Sequence, residues 1–395
     1  MVAMSTETLP EWADYMAILE SAAKVLDNAP DMDDPQKRQE AYRLLFSAIA
    51  SGYHSAFADP DHPDFVPVVS NILNSIGANP DFIYGYTQLD GQGTYRLSGM
   101  RGDEVFVLVD FSAGGLGVLD QLGPAVGFID IDSLNIAADG SFEVLLSAER
   151  PDDYQGDWFG LAPDTKTAGF RKASYQWGEG KSTRLAIERL DCSARGKRID
   201  AQEASRRLKL LAEFISRYVG FILGYGQKQR AGGYVNQLEH DDWAGRGGVA
   251  GQHYYQGIYD IKADQAIIIE TELPEQVRYW NIQLNDPIWN TIDWLTHQSS
   301  LNGGQAKLDS DGKFRAVISA QDPAVPNWLD TGGHLQGSLM LRWTEASSGP
   351  APSLKIVPLA ELRNHLPDDT PAVTAQQREE SLRERNKAAQ FRCRW

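Results

Sequence analysis

The segment Asp139 to Pro151, DGSFEVLLSAERP, aligns without a gap on Asp311 to Pro323, DGKFRAVISAQDP, at a constant offset of 172 residues. Six of the thirteen positions are identical: Asp139 and Asp311, Gly140 and Gly312, Phe142 and Phe314, Ser147 and Ser319, Ala148 and Ala320, Pro151 and Pro323. The flanks agree, with Trp158 matching Trp328 and Arg171 matching Arg342 at offsets of 170 and 171, and GTYRL at Gly93 resembling GIYDI at Gly257. A chain of 395 residues that repeats itself at this distance holds two related units. Asp-Gly supplies the positive φ of a tight hairpin, after which Phe314, Ala316 and Ile318 alternate onto one face of a strand. Two copies built of short strands predict two β-sandwich, jelly-roll-like units, because a propeller or solenoid would need more copies.

Around these units the expected fold is α+β, mainly β. Residues 1–78 read as a helical segment. Leu19, Ala22, Ala23 and Leu26 share a face of its first helix; Asp34 and Pro35 then start a second that carries Tyr42, Leu45, Phe46, Ile49 and Tyr53, and a third is expected over Phe65 to Ile76. The first sandwich unit is expected over 79–199 and the second over 231–346. Between them, 200–230 reads as an amphipathic helix: Asp200 and Glu203 fit N-cap and N3, Leu208, Leu211, Ile215, Tyr218 and Ile222 recur at helical spacing, and Gly224 and Gly226 are expected to stop it. Residues 347–395 read as a Pro-rich linker and a polar C-terminal helix.

Charge excludes several partners. The 37 Lys plus Arg against 54 Asp plus Glu give a net charge of −17, which opposes nucleic-acid phosphates and anionic membrane surfaces. A local excess of 15 basic over 6 acidic residues between 166 and 230 is expected to be mainly a solvated helix face. No run of apolar residues approaches a membrane span, and the opening residues lack a basic start followed by an apolar stretch, so a cytoplasmic location is expected. Cys192 and Cys393 show no CxxC spacing and are expected to be free thiols. The glycines Gly114, Gly115 and Gly117 fail as a dinucleotide fingerprint because its third glycine would fall at Asp120, and Gly180-Lys181-Ser182 fails as a phosphate loop because Tyr175 stands where its first glycine belongs. Neither GxSxG nor HExxH occurs.

The histidines are asymmetric between the units. His240, His253, His297 and His334 fall in the second repeat or its entry, with Asp241, Asp242, Asp293 and Asp330 among them, and the matching positions of the first repeat carry none. Histidine passes protons near neutral pH, and a neighbouring carboxylate fixes its tautomer. The expected catalytic set is therefore His334 or His297 as general acid or base, oriented by Asp330 or Asp293. The strongest local case is Asp330 to His334, where Gly332 and Gly333 bend the chain; a polar turn whose Asp and Thr satisfy backbone donors is the alternative. Tyr255, Trp280, Asn281, Trp328 and His253 are the expected substrate contacts, although aromatic residues on strands also build cores. Spacings of 44 and 37 residues among His253, His297 and His334 match no metal template, so no cofactor is expected and a metal stays a secondary alternative.

The second repeat also carries a recognisable order: Tyr255-Gln256-Gly257, Pro274, Arg278 to Leu284 (RYWNIQL), Ser300-Leu301-Asn302, Asp311-Gly312, Asp322-Pro323, Asn327 to Thr331 (NWLDT), Gly337 and Arg342-Trp343. In this it resembles the bacterial domain-of-unknown-function family 1214 over about residues 250–345, and residues 80–190 resemble its frequent partner, family 1254, more weakly. The resemblance implies β-rich, jelly-roll-like domains and says little of chemistry. The functional expectation is a non-redox lyase, isomerase or hydrolase acting on a small organic molecule, functioning as a homo-oligomer. The alternatives are a non-catalytic protein that binds a carbohydrate or lipid-like ligand, and an assembly scaffold.

Overall fold

The computed structural model describes residues 9–29, 31–120, 123–242 and 252–392. Within them the strands of the first unit are β1 (Val66–Pro67), β2 (Phe82–Gln88), β3 (Tyr95–Met100), β4 (Phe106–Ser112), β5 (Ala125–Asp130), β6 (Ser141–Ser147), β7 (Asp157–Gly160), β8 (Thr167–Ala173) and β9 (Arg184–Arg189). Those of the second are β10 (Glu239–Asp241), β11 (Gln252–Asp260), β12 (Gln265–Thr271), β13 (Val277–Asn285), β14 (Ser300–Asn302), β15 (Phe314–Ser319), β16 (Trp328–Asp330), β17 (Gln336–Ala346) and β18 (Ser353–Pro358). Each unit has a five-stranded sheet, β1-β2-β8-β4-β5 or β10-β11-β17-β13-β14, and a four-stranded sheet, β7-β6-β3-β9 or β16-β15-β12-β18. The two lists match strand for strand, down to the one parallel pair in each four-stranded sheet.

The repeated residues explain this agreement. Gly140 and Gly312 sit at φ +89° and +79°, and the Asp before each accepts the backbone N–H two residues on, so both hairpins enter β6 and β15 in the same register. Ser147 and Ser319 then bond the carbonyls of Glu149 and Gln321. Trp158 and Trp328 each donate their indole N–H to the matching serine, to the hydroxyl of Ser147 at 2.9 Å and to the carbonyl of Ser319 at 3.0 Å. One expected match is corrected: Gly93 to Leu97 leads into β3, whose counterpart is β12, whereas Gly257 lies in β11, the counterpart of β2.

Helices α1 (Trp12–Ala23), α2 (Pro35–Phe57) and α3 (Ala201–Ala231) form one packed group, and α4 (Ala375–Phe391) lies apart. The expected α2 face is corrected. Tyr42, Phe46 and Tyr53 are exposed and Leu45 and Ile49 pack only partly buried against the helical core, while Ala41, Leu44, Ala48 and Gly52 form the buried face. Small residues win that face because the helices approach closely: a Cβ on Gly52 would lie 2.6 Å from Leu211. No helix forms over 65–76; Pro67 and its β-branched neighbours give the short strand β1 instead. α3 runs through Gly224 and Gly226 to Ala231, because Ile222, Leu223 and Tyr225 are buried and carry the helix past them. The second sandwich takes β18 from the stretch expected to be linker.

Along β13 the side chains divide. Trp280, Ile282 and Leu284 enter the sandwich core, while Tyr279, Asn281, Gln283 and Asn285 point the other way and are equally buried. This second face is a polar seam. Asn281 donates to Asn79, Gln283 to the carbonyls of Gly77 and Ala78, and Tyr279 to buried Asp81, which also accepts from Trp177 and Asn302. Burial raises the Asp81 carboxyl above its ordinary value against these donors. Cys192 is a free thiol, and Cys393 lies outside the described residues. No helix among the described residues is long and apolar enough to cross a membrane.

Candidate functional site

Asp330 ends β16 and His297 closes the loop between β13 and β14, 33 residues earlier. The His297 Nδ1 lies 2.7 Å from the Asp330 Oδ2, and Asp330 Oδ1 accepts the backbone N–H of Gly332 at 2.8 Å. The bond from Asp330 raises the His297 pKa above its ordinary value; burial opposes this, and the charges of Asp330 and Asp293 add to it. The imidazole keeps 37% of its surface while Asp330 keeps 10%, so an almost buried carboxylate holds a ring that solvent or substrate reaches. Among the described residues no group engages Nε2 of this ring.

His297 lines a cavity of about 210 Å³ together with Glu40, Asp286, Asp293, His334 and Arg43. His334 Nδ1 approaches the Glu40 carboxylate at 3.9 Å. Asp286 is held by the backbone N–H groups of Ile288 and Asn290 and by the Asn290 amide; burial nonetheless pushes its pKa up to about 6. A carboxyl pushed up to about 6 and an imidazole raised above its ordinary value are two groups in one cavity that both exchange protons far closer to neutral pH than an ordinary carboxylate does.

The pairing differs from the local expectation. His334 closes a turn on Thr331 but turns its ring to Glu40, leaving Asp330 to His297. Asp293 does not hold either ring: its oxygens accept from Leu295 N–H and the Thr296 hydroxyl and shape the turn that delivers His297.

The five expected substrate contacts do not line this cavity. Trp280 packs between Phe314 and Trp343 inside the sandwich, Asn281 belongs to the seam, and Trp328 is buried beneath Arg378. Tyr255 donates to the carbonyl of Gly349, and His253 stacks on His240 with ring nitrogens 3.0 Å apart. His253 is thus separated from His297 and His334, and no group of three or more His, Cys, Asp or Glu among the described residues is arranged to hold a metal ion.

Glu40 and Asp286 were not among the expected residues. Glu40 had a signal, since it falls on the α2 stripe with Leu44 and Ser47, where a charge is out of place unless something meets it.

Residues 259–347 match the family described as a protein of unknown function, DUF1214. An uncharacterized protein from Burkholderia cenocepacia superposes with a TM-score of 0.81 at 29% identity, covering 88% of this chain and 97% of its own. The VPA0106 protein from Vibrio parahaemolyticus aligns at 12% identity and a TM-score of 0.45 over 85% of this chain and 100% of its own. No curated protein matches the chain. The expected resemblance to family 1214 therefore holds over 259–347, and the two-unit fold agrees with the Burkholderia structure.

Proposed function

We propose that the chain is a cytoplasmic, non-redox enzyme that moves a proton on a small polar organic molecule, in a lyase, isomerase or hydrolase reaction, from the cavity between α2 and the second sandwich. The single observation that carries this reading is the 2.7 Å contact between His297 Nδ1 and Asp330 at the cavity wall. With Nδ1–H donated to Asp330, Nε2 presents its lone pair, and Asp330 stabilises the imidazolium that forms when the base accepts a proton. Asp286, whose carboxyl titrates near 6, lines the same cavity and is the second proton-transfer group, taking a proton as the carboxylate and returning it. Glu40, His334 and Arg43 make the walls polar and charged, and at about 210 Å³ the space lies below the roughly 300–1,000 Å³ of drug-sized sites, which restricts the substrate to a molecule of few atoms.

The test is consumption of small molecules from a bacterial metabolite extract, followed by mass spectrometry, for wild type, His297→Ala and Asp330→Asn. The expected result is one or more compounds converted by wild type alone, with all three proteins unfolding cooperatively at similar denaturant concentrations. Conversion that persists in both variants, or loss of cooperative unfolding in both, overturns the reading and makes the pair structural.

A further inference from the structure

The repeat pairs Arg171 with Arg342, and the acid-base site uses neither. Arg171 lies on β8 and Arg342 on β17, the same strand of each unit, and their register partners toward the first strand of the unit are Tyr84 and Tyr254. All four side chains line one cavity of about 320 Å³ that lies between the two five-stranded sheets and α3. Among the neighbours that differ between the copies, one changes charge. Arg171 Nε lies 3.3 Å from the Asp110 carboxylate, whereas the register-equivalent position on β13 is Gln283, whose amide oxygen accepts from Arg342 at 2.6 Å. The other bonds of Arg342 go to the Asn281 amide oxygen, the Gly77 carbonyl and the Met340 sulfur, so its acceptors are all neutral.

A guanidinium that is only 5% exposed, bonds four neutral acceptors and lies 5.4 Å from the Tyr254 ring centroid has no counter-charge among these partners, and burying a charge without one is costly. Phe214, Phe221, Trp289 and Met340 give the cavity an apolar, aromatic wall, while Asp110 and the hydroxyls of Ser51, Ser55, Ser112 and Thr167 line other parts of it. We infer that this cavity binds a monocarboxylate with an apolar body, the carboxylate lying on the cavity side of Arg342 and supplying the counter-charge that Asp110 supplies to Arg171, and the body lying against the aromatic wall. The volume falls in the range of roughly 300–1,000 Å³ in which small-molecule sites occur. This inference does not rest on the acid-base reading.

The test is calorimetric titration of the full chain with two carboxylates of different shape, decanoate and 2-naphthoate, and with 1-decanol and decylamine as neutral and cationic comparators. At least one carboxylate is expected to bind one-to-one and at least about tenfold more tightly than decanol, as one charged hydrogen bond implies, and decylamine is expected not to bind. Gln283→Glu gives Arg342 the counter-charge that Arg171 already has and is expected to weaken that carboxylate at least about tenfold while leaving decanol unchanged. Arg342→Gln is expected to act in the same direction; because Gln283 also donates to the Gly77 and Ala78 carbonyls, each variant is read beside its cooperative urea unfolding, and the wild-type comparison of carboxylate with decanol keeps the test decisive where a variant fails to fold. Failure of both carboxylates to saturate, equal affinity for decanol, or a carboxylate isotherm unmoved by Gln283→Glu overturns the inference.

Discussion

The two sandwiches share strand order, hairpin geometry and the tryptophan-serine contact, yet they differ at the position where chemistry is proposed. In the parallel pair of the first unit Ser147 faces Gly160; in that of the second, Ser319 faces Asp330. The residue after the shared Trp and one apolar position is therefore a glycine in one copy and the carboxylate that holds His297 in the other. What the two units share is the packing; the His297–Asp330 pair proposed for proton transfer stands at the end of one strand only, and its cavity is completed by a loop between β13 and β14 and by a helix from outside both sandwiches.

The largest expected effect breaks that pair. Asp330→Asn keeps an oxygen for Gly332 N–H but loses the charge that orients and stabilises His297, and turnover of any substrate found is expected to fall by about a hundredfold or more. A first-unit control, Gly160→Ala, is expected to leave turnover unchanged; comparable losses in both would show that the strand end, and not the carboxylate, matters.

The next effect concerns what holds the copies together. Asp81→Ala leaves the buried donors of Trp177, Asn302 and Tyr279 without their shared acceptor, and a loss of about 3 kcal/mol in urea unfolding is expected. A loss below about 1 kcal/mol would mean that the seam is held elsewhere.

Much of this scaffold was legible in the chain. The repeat, the Asp-Gly hairpins and the Asp200 cap have local causes, so their residues announce them. The helix face of α2 did not, because which stripe is buried depends on how closely α3 approaches, and Gly52 rather than Phe46 permits that approach. The same limit applies to the site. His297 and Asp330 were legible as residue types, but their pairing across 33 positions depends on the strand ladder, and Glu40 reaches His334 from a helix whose docking no local pattern encodes. Trp280 and Asn281 do not line the cavity for a related reason: a strand buried on both faces has no free side for a ligand, and β13 is such a strand.

The pH dependence of stability sharpens the contrast, because the described titrating groups of this cavity belong to the second unit and α2. Asp286 has a folded pKa near 6 against an ordinary carboxylate value of 3.8, so between these values the folded state binds more protons and stability falls as pH rises. The span amounts to about 3 kcal/mol at most. His297, raised above 6.5, contributes stability that is fully present below 6.5 and lost as pH rises through its folded value. Urea midpoints from pH 4 to 8 are expected to decline, and Asp286→Asn is expected to flatten the acidic part of that decline while leaving the part above pH 6.5; an unchanged acidic slope would show that Asp286 ionises as an ordinary carboxylate.

The smallest effect tests whether the shared packing unit is equivalent in the two copies. Trp158→Phe and Trp328→Phe each remove one indole N–H from its serine, at 2.9 and 3.0 Å. The acceptors differ: Trp158 bonds a hydroxyl and is only half-buried, whereas Trp328 is buried, bonds a main-chain carbonyl and lies 5.2 Å beneath the Arg378 guanidinium. A hydroxyl can rotate to another partner and a strand carbonyl cannot, so Trp328→Phe is expected to cost about 2 kcal/mol and Trp158→Phe about 1 kcal/mol or less. Equal losses in thermal unfolding would mean that the repeat preserves energy as well as geometry; the reverse order would place the greater dependence on the first unit and contradict the burial that separates the two tryptophans.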